Sequence, residues 1–121
     1  MMNSQDSLLP GKELSDEELA AETQAGSRRS FEELVRRYTH RLFYYLRPKT
    51  STRQDAEDLV QETFLRAYRN IDRFDLTYKF STWIYTLATR LLISFYRKKK
   101  FNESLTILAD SSPDPREQVA V

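Results

Sequence analysis

Cysteine is absent. That excludes a disulfide scaffold, a thiol nucleophile and a cysteine-ligated zinc site, and it fits a reducing compartment. The only histidine is His40. With no second histidine or cysteine to join it, no metal-ligand spacing exists, and His40 reads as a solvated helix residue. Glycine is nearly missing: Gly11 and Gly26 stand alone, so there is no glycine-rich phosphate loop. With only four prolines as well, the turn punctuation of a many-stranded sandwich or barrel is lacking. No apolar run approaches the roughly 20 residues of a membrane span. Residues 1–10 are mostly polar and lack the charged-then-apolar pattern of a secretory leader. The 121 residues therefore suit one small cytoplasmic domain, and the fold class expected is all-α.

Charge is present in quantity but segregated. Lys and Arg number 19 against 18 Asp and Glu, for a net of +1. Residues 1–26 hold six acids and one base, whereas residues 79–100 hold six bases and no acid. Local fields rather than net charge steer a polyanion. A carboxylate-free stretch of this kind can face nucleic acid. It can equally be a run of cations favoured at a helix C-terminus.

Four helices are predicted, in a compact bundle with flexible ends. Ser15 with Glu18 three residues later forms a capping-box pattern, and Gly26 supplies a stop. Phe31, Leu34, Val35, Tyr38, Leu42, Tyr45 and Leu46 follow helical spacing until Pro48, with Arg36, Arg37, His40 and Arg41 on the remaining surface. Thr52 caps a third helix. Its stripe is Ala56, Leu59, Val60, Thr63, Phe64, Ala67, Tyr68 and Ile71. A loop from Asp72 to Lys79 carries Phe74, Leu76 and Tyr78, which either plug the core or wait for a base to stack on. Ser81 is the expected cap of a fourth helix ending near Lys99. Its buried stripe would be Phe80, Trp83, Ile84, Leu87, Ala88, Leu91, Leu92 and Phe95.

Two surfaces remain for function. The third helix presents Asp55, Asp58, Gln61, Glu62, Leu65, Arg66 and Arg69 away from its stripe. An exposed Leu on an acidic face suits a partner helix, although an ordinary solvated face has the same pattern. The fourth helix carries Tyr85, Thr89, Arg90, Tyr96 and Arg97 outside its core positions. Cations neutralise phosphates and aromatic rings stack on unpaired bases for about 1–3 kcal/mol each. No residues are arranged as a nucleophile with its base, so an enzyme is not expected.

Several stretches resemble the sigma factors of bacterial RNA polymerase, and most closely their extracytoplasmic-function (ECF) group. They are Asp55 to Phe64 (Asp-Ala-Glu-Asp-Leu-Val-Gln-Glu-Thr-Phe), Ala67-Tyr68, Phe74-Asp75 and Phe80-Ser-Thr-Trp-Ile84. Phe31 to Val35 is similar to the start of the same domain, and Tyr78 to Thr82 looks like the matching stretch of primary sigma factors. The resemblance implies a flexible N-terminus over 1–13, a sigma region 2 helical domain over 14–101, and the start of an interdomain linker over 102–121. The C-terminal helix-turn-helix domain of complete members is expected to be absent.

It further implies that Asp58, Gln61, Glu62, Leu65 and Arg69 dock on the β′ clamp helices of core RNA polymerase. Promoter −10 DNA, as its non-template strand, would meet Phe74, Lys79, Tyr85, Leu87, Arg90, Arg97 and Lys98. Phe74, Tyr85 and Leu87 would form the pocket for a flipped base. An anti-sigma factor is an implied partner; no cofactor, metal or membrane span is. Two positions depart from the family pattern of Ala-x-Asn followed four residues on by Asp: they are Arg90 and Ser94 here. Arg only donates where Asn both donates and accepts, so the preferred −10 sequence is expected to differ. Two other classes stay open. One is a module that binds polymerase or an anti-sigma factor without reading DNA. The other is an unrelated helical protein that reads duplex through the major groove.

Overall fold

The computed structural model describes residues 13–111. Most of the N-terminus expected to be flexible, and the end of the expected linker, lie outside the described residues. Four helices form: α1 (Asp16–Gln24), α2 (Arg28–Leu46), α3 (Arg53–Arg69) and α4 (Phe80–Ser111), with 3-10 turns at Arg47–Lys49 and Ile71–Arg73. No strand occurs among the described residues. The chain divides into two compact units after Leu91, so α4 starts in the first and continues through the second.

Local chemistry sets the boundaries. Ser15 Oγ accepts from the Glu18 amide at 3.0 Å while Glu18 returns a bond to the Ser15 amide at 2.8 Å. The expected capping box is therefore complete, satisfying two donors that the first helical turn orphans. α1 ends in a Schellman arrangement. The Ser27 amide donates to Glu22 O and the Gly26 amide to Thr23 O, each at 2.9 Å. Gly26 takes φ +107°, a conformation that L side chains rarely tolerate. Ser27 Oγ caps α2 at 3.2 Å and Thr52 Oγ1 caps α3 at 3.0 Å.

In the first unit α1 packs on α2, and α2 on α3. Tyr38, Phe80, Leu19, Leu34, Leu42, Leu46 and Ile84 are its largest fully buried side chains. The predicted stripe of α3 is buried except Tyr68, which is 45% exposed and leans on Phe31 at 4.9 Å between ring centroids. Arg37, expected at the surface, is mostly covered. It binds Asp16 at 2.9 Å and Glu33 at 3.1 Å. Burial opposes its charge, but the hydrogen bonds it donates to these two carboxylates outweigh that and raise its pKa. The Tyr38 hydroxyl donates to Asp16 on the other carboxylate oxygen.

The fourth helix corrects two expectations. Ser81 does not cap it, because the helix already starts at Phe80. Nor does it stop near Lys99. Residues 101–112 contain neither Gly nor Pro, so nothing ends the helix until Pro113 disfavours helical geometry in the residue before it. In the second unit Phe101, Leu105, Ile107 and Leu108 are exposed.

Candidate nucleic-acid and polymerase interfaces

The outer face of α3 is built as its spacing predicts. Asp58, Gln61, Leu65 and Arg69 are exposed and Glu62 is half-buried. Its charges are organised along the helix. Gln54 Nε2 donates to Asp58 Oδ1 at 2.7 Å, and Glu62 pairs with Arg66 at 3.8 Å. Such exposed i,i+4 contacts each contribute only about 0.3–0.5 kcal/mol. They order the carboxylates without consuming them, and a partner cation can still reach both.

Beside this face runs a hollow that periodicity did not reveal. Phe31, Val35, Phe64, Leu65 and Tyr68 line it together with Gln61, between α2 and α3. A second hollow continues past Gln61 and Phe64 to Phe43, Tyr44 and His40. His40 is exposed and stacked on Tyr44, as a solvated surface residue would be. Leu65 is thus not a lone apolar residue on a polar helix. It is the rim of an apolar groove shared by two helices, the form of surface that carries most binding energy at protein interfaces.

The loop after α3 separates the residues expected to read a base. Phe74 is 4% exposed. Its ring sits 5.0 Å from Trp83 and 5.7 Å from Phe80. It plugs the core, and a base could meet it only where Trp83 leaves an edge uncovered. Trp83, expected in the core, is half-buried. Leu87, one turn beyond Trp83 on α4, is also half-buried. Tyr85 points elsewhere, against α2: its ring lies 5.1 Å from Tyr45 and 6.4 Å from Tyr38. No ring contact among the described residues joins Phe74 to Tyr85. The structure therefore groups Phe74 with Trp83, and puts Tyr85 on another side of the helix.

A ring that does reach solvent is at the loop tip. The Tyr78 ring is 68% exposed, and the aliphatic Leu76 beside it is 40% exposed. Asp75 shapes this tip: its Oδ1 accepts from the Thr77 amide at 2.9 Å and from the Thr77 hydroxyl at 2.7 Å. Those two bonds, the hydroxyl first, hold the Asp75 carboxyl below the usual Asp range.

Four of the bases at the start of α4 and along it are in no ion pair among the described residues. Lys79 and Arg90 in the first unit, and Arg97 and Lys98 in the second, are exposed. Among the described residues all ion pairs fall between Glu13 and Arg66, and none involves these four cations. Unpaired cations without a carboxylate neighbour are what a polyphosphate needs. No group of acids or histidines among the described residues can hold a metal. No helix among them is long and apolar enough to cross a membrane.

Comparison with known proteins agrees with this geometry. The family described as Sigma-70 region 2 matches residues 34–102. The ECF RNA polymerase sigma factor SigW of Bacillus subtilis is 43% identical over 75 residues, which is 62% of this chain and 40% of that protein. The ECF RNA polymerase sigma-E factor of Haemophilus influenzae is 38% identical over 77 residues, 64% of this chain and 40% of that one. The chain thus spans about two fifths of the length of these curated relatives. Among solved structures, an engineered region 2 of sigmaE in complex with GTAAAA superposes with a TM-score of 0.68 at 32% identity, covering 82% of this chain and 95% of that one. CnrH in complex with the cytosolic domain of CnrY gives 0.63 at 26% identity, covering 83% and 67%. Members of this family are transcription initiation factors and not enzymes. A four-helix unit with an apolar groove beside α3 and unpaired bases along α4 is thus placed by its sequence and its fold alike: the chain belongs to the Sigma-70 region 2 family, with relatives in the ECF group.

Proposed function

We propose that this chain is the part of a sigma factor that docks on core RNA polymerase through the outer face of α3 and reads and melts the promoter −10 element with the following loop and α4. One observation carries the reading: the α3 face and the loop with the start of α4, both in the first unit, have opposite chemistry. The first has paired charges along a rigid helix beside an apolar groove. The second has exposed aromatic and basic groups, and among the described residues its cations have no carboxylate partner. A relative of the same fold that holds GTAAAA supports the second assignment.

The mechanism follows from these parts. Asp58 and Glu62 orient the domain on a basic partner and speed its arrival, while Leu65 and the groove supply buried area. Lys79, Arg90, Arg97 and Lys98 hold phosphates and fix register. Extruding a base costs a few kcal/mol, which stacking and edge contacts in a pocket return. In this reading a flipped base meets Trp83, Leu87 and the covered Phe74, and the exposed Tyr78 of the preceding loop is a further ring on which a base can stack. Tyr85 instead steadies α4 on α2. The domain works in the cytoplasm, where the polymerase is. The complex of CnrH with the cytosolic domain of CnrY supports a second use of the same domain, binding by a protein partner.

The test is binding of the 121-residue chain to bacterial core RNA polymerase, with Glu62→Lys and Asp58→Lys beside it. Each reversal is expected to weaken binding by about 1–3 kcal/mol and to leave the melting temperature within a few degrees. Unchanged affinity in both variants would move the docking face off α3.

A further inference from the structure

The loop assigned to the −10 element has few contacts of its own, and its backbone is tied at both ends to α1. Gln24 Nε2 donates to the carbonyl oxygens of Ile71 and Phe74, each at 2.8 Å. Glu17 Oε2 accepts from the amide of Phe80 at 2.8 Å. Phe80 is the first residue of α4, so Glu17 does for α4 what a local cap does for the other helices. Glu17 and Gln24 lie seven residues apart, two turns, and therefore share one side of α1. These are tertiary tethers, spanning 47, 50 and 63 residues of sequence.

The geometry points to Glu17 and Gln24 as positioning residues for DNA recognition: α1 brackets residues 71–80 from behind and presets the loop before DNA arrives. This rests on the reading of the loop as the −10 reader. The chemistry is specific. A carboxamide offers two donors, and both are used: one on the Phe74 carbonyl, the other on the Ile71 carbonyl, which also accepts from the Phe74 amide of its own turn at 3.1 Å. The Glu17 carboxylate sits at the positive end of the α4 dipole, so a negative charge close to the proposed DNA path is engaged by the protein. An unbraced loop would have to be ordered at the moment of binding, and that cost would appear as lost affinity. Neither residue needs to touch DNA, and neither belongs to the α3 docking face.

The split between the two surfaces makes the test. Single-stranded oligonucleotides with a random six-nucleotide centre are enriched on the wild-type chain, and the best is used as probe. Gln24→Glu replaces both donors by oxygens that repel the two carbonyls; Gln24→Ala removes the donors without repulsion. Both variants are expected to bind the probe roughly tenfold more weakly. Affinity for core RNA polymerase should change less than about twofold, and the Thr77 and Tyr78 amides should exchange faster with solvent. Glu17→Gln keeps an oxygen acceptor for the Phe80 amide and should stay near wild type, where Glu17→Ala should not. Probe affinity unchanged in both Gln24 variants overturns the inference. So does a parallel fall in probe and polymerase affinity, because that is the mark of a residue that only supports the fold. If the wild-type chain enriches no oligonucleotide, the −10 reading itself fails and this inference falls with it.

Discussion

The outer face of α3 and the loop that follows it adjoin in sequence and are made by opposite means. The face is regular helix. Its shape comes from backbone bonds four residues apart and its charges are settled by neighbours one turn away, Gln54 with Asp58 and Glu62 with Arg66. The loop has no repeating backbone pattern. Its form comes from Asp75 within it and from Gln24 and Glu17 on α1. A surface that must meet another rigid helix is served by the first design. The second design suits the duplex opening and base capture proposed for the loop, because its restraints are few and discrete.

The largest effect expected is one that removes both surfaces together. Leu59 is 6% exposed on the α3 stripe. Leu59→Asp would bury a charge with no partner, at several kcal/mol, a large part of the roughly 5–15 kcal/mol that holds a domain of this kind. Circular dichroism should show no cooperative melt. Leu65→Asp is the matched control on the same helix. Leu65 is 45% exposed, so the fold should survive while polymerase binding falls. Equal melting curves for the two variants would break the division of α3 into a core stripe and a docking face.

A smaller effect separates the loop's brace from the bundle. The Tyr38 phenol is buried and donates to Asp16 at the start of α1. Burial first, and that bond second, push its pKa up from the ordinary 10.0. A group raised in this way contributes stability that is complete below its unfolded value. That contribution is lost as pH rises above 10.0 toward the folded value. The melting temperature of the wild-type chain should therefore fall more steeply above pH 10 than that of Tyr38→Phe, which has no proton to lose there. Parallel curves would mean that the phenol does not couple α1 to α2.

The same contrast explains what could be seen from the amino acids alone. The helical period exposed the α3 stripe, so Ala56, Leu59, Val60, Thr63, Phe64 and Ala67 are buried as expected. Ser15 and Thr52 act within three residues, and their caps were legible for that reason. Contacts across the chain carry no local signal. Nothing near Gln24 announces a bond to residues 47 and 50 positions away. Arg37 sits among surface-type residues and is drawn under α1 by Asp16. Phe74 looks like a free loop aromatic until Phe80 and Trp83 close on it. The family resemblance groups Tyr85 with Phe74, whereas helical geometry turns Tyr85 toward Tyr45. The exposure of Asp58, Gln61, Leu65 and Arg69 was readable from the helical period; the packing of Phe74 against Trp83 was not.

The smallest effect is the sharpest probe of the loop, because it leaves the helices alone. Asp75 Oδ1 accepts from both the amide and the hydroxyl of Thr77, and these bonds lower the Asp75 pKa from 3.8. The folded loop thus prefers the ionised carboxylate. Its contribution is present above the ordinary Asp value and is lost as pH falls through the lower folded one. The chemical shift of the Thr77 amide, followed from neutral pH down to about 2, should move with a midpoint below 3.8. Asp75→Asn keeps an oxygen acceptor without a titrating proton and should give a flat trace. Asp75→Ala should give at neutral pH the shift that the wild-type chain reaches only in acid. A wild-type midpoint at or above the ordinary value would mean that Asp75 does not shape the tip, and that α1 alone holds the loop against the bundle.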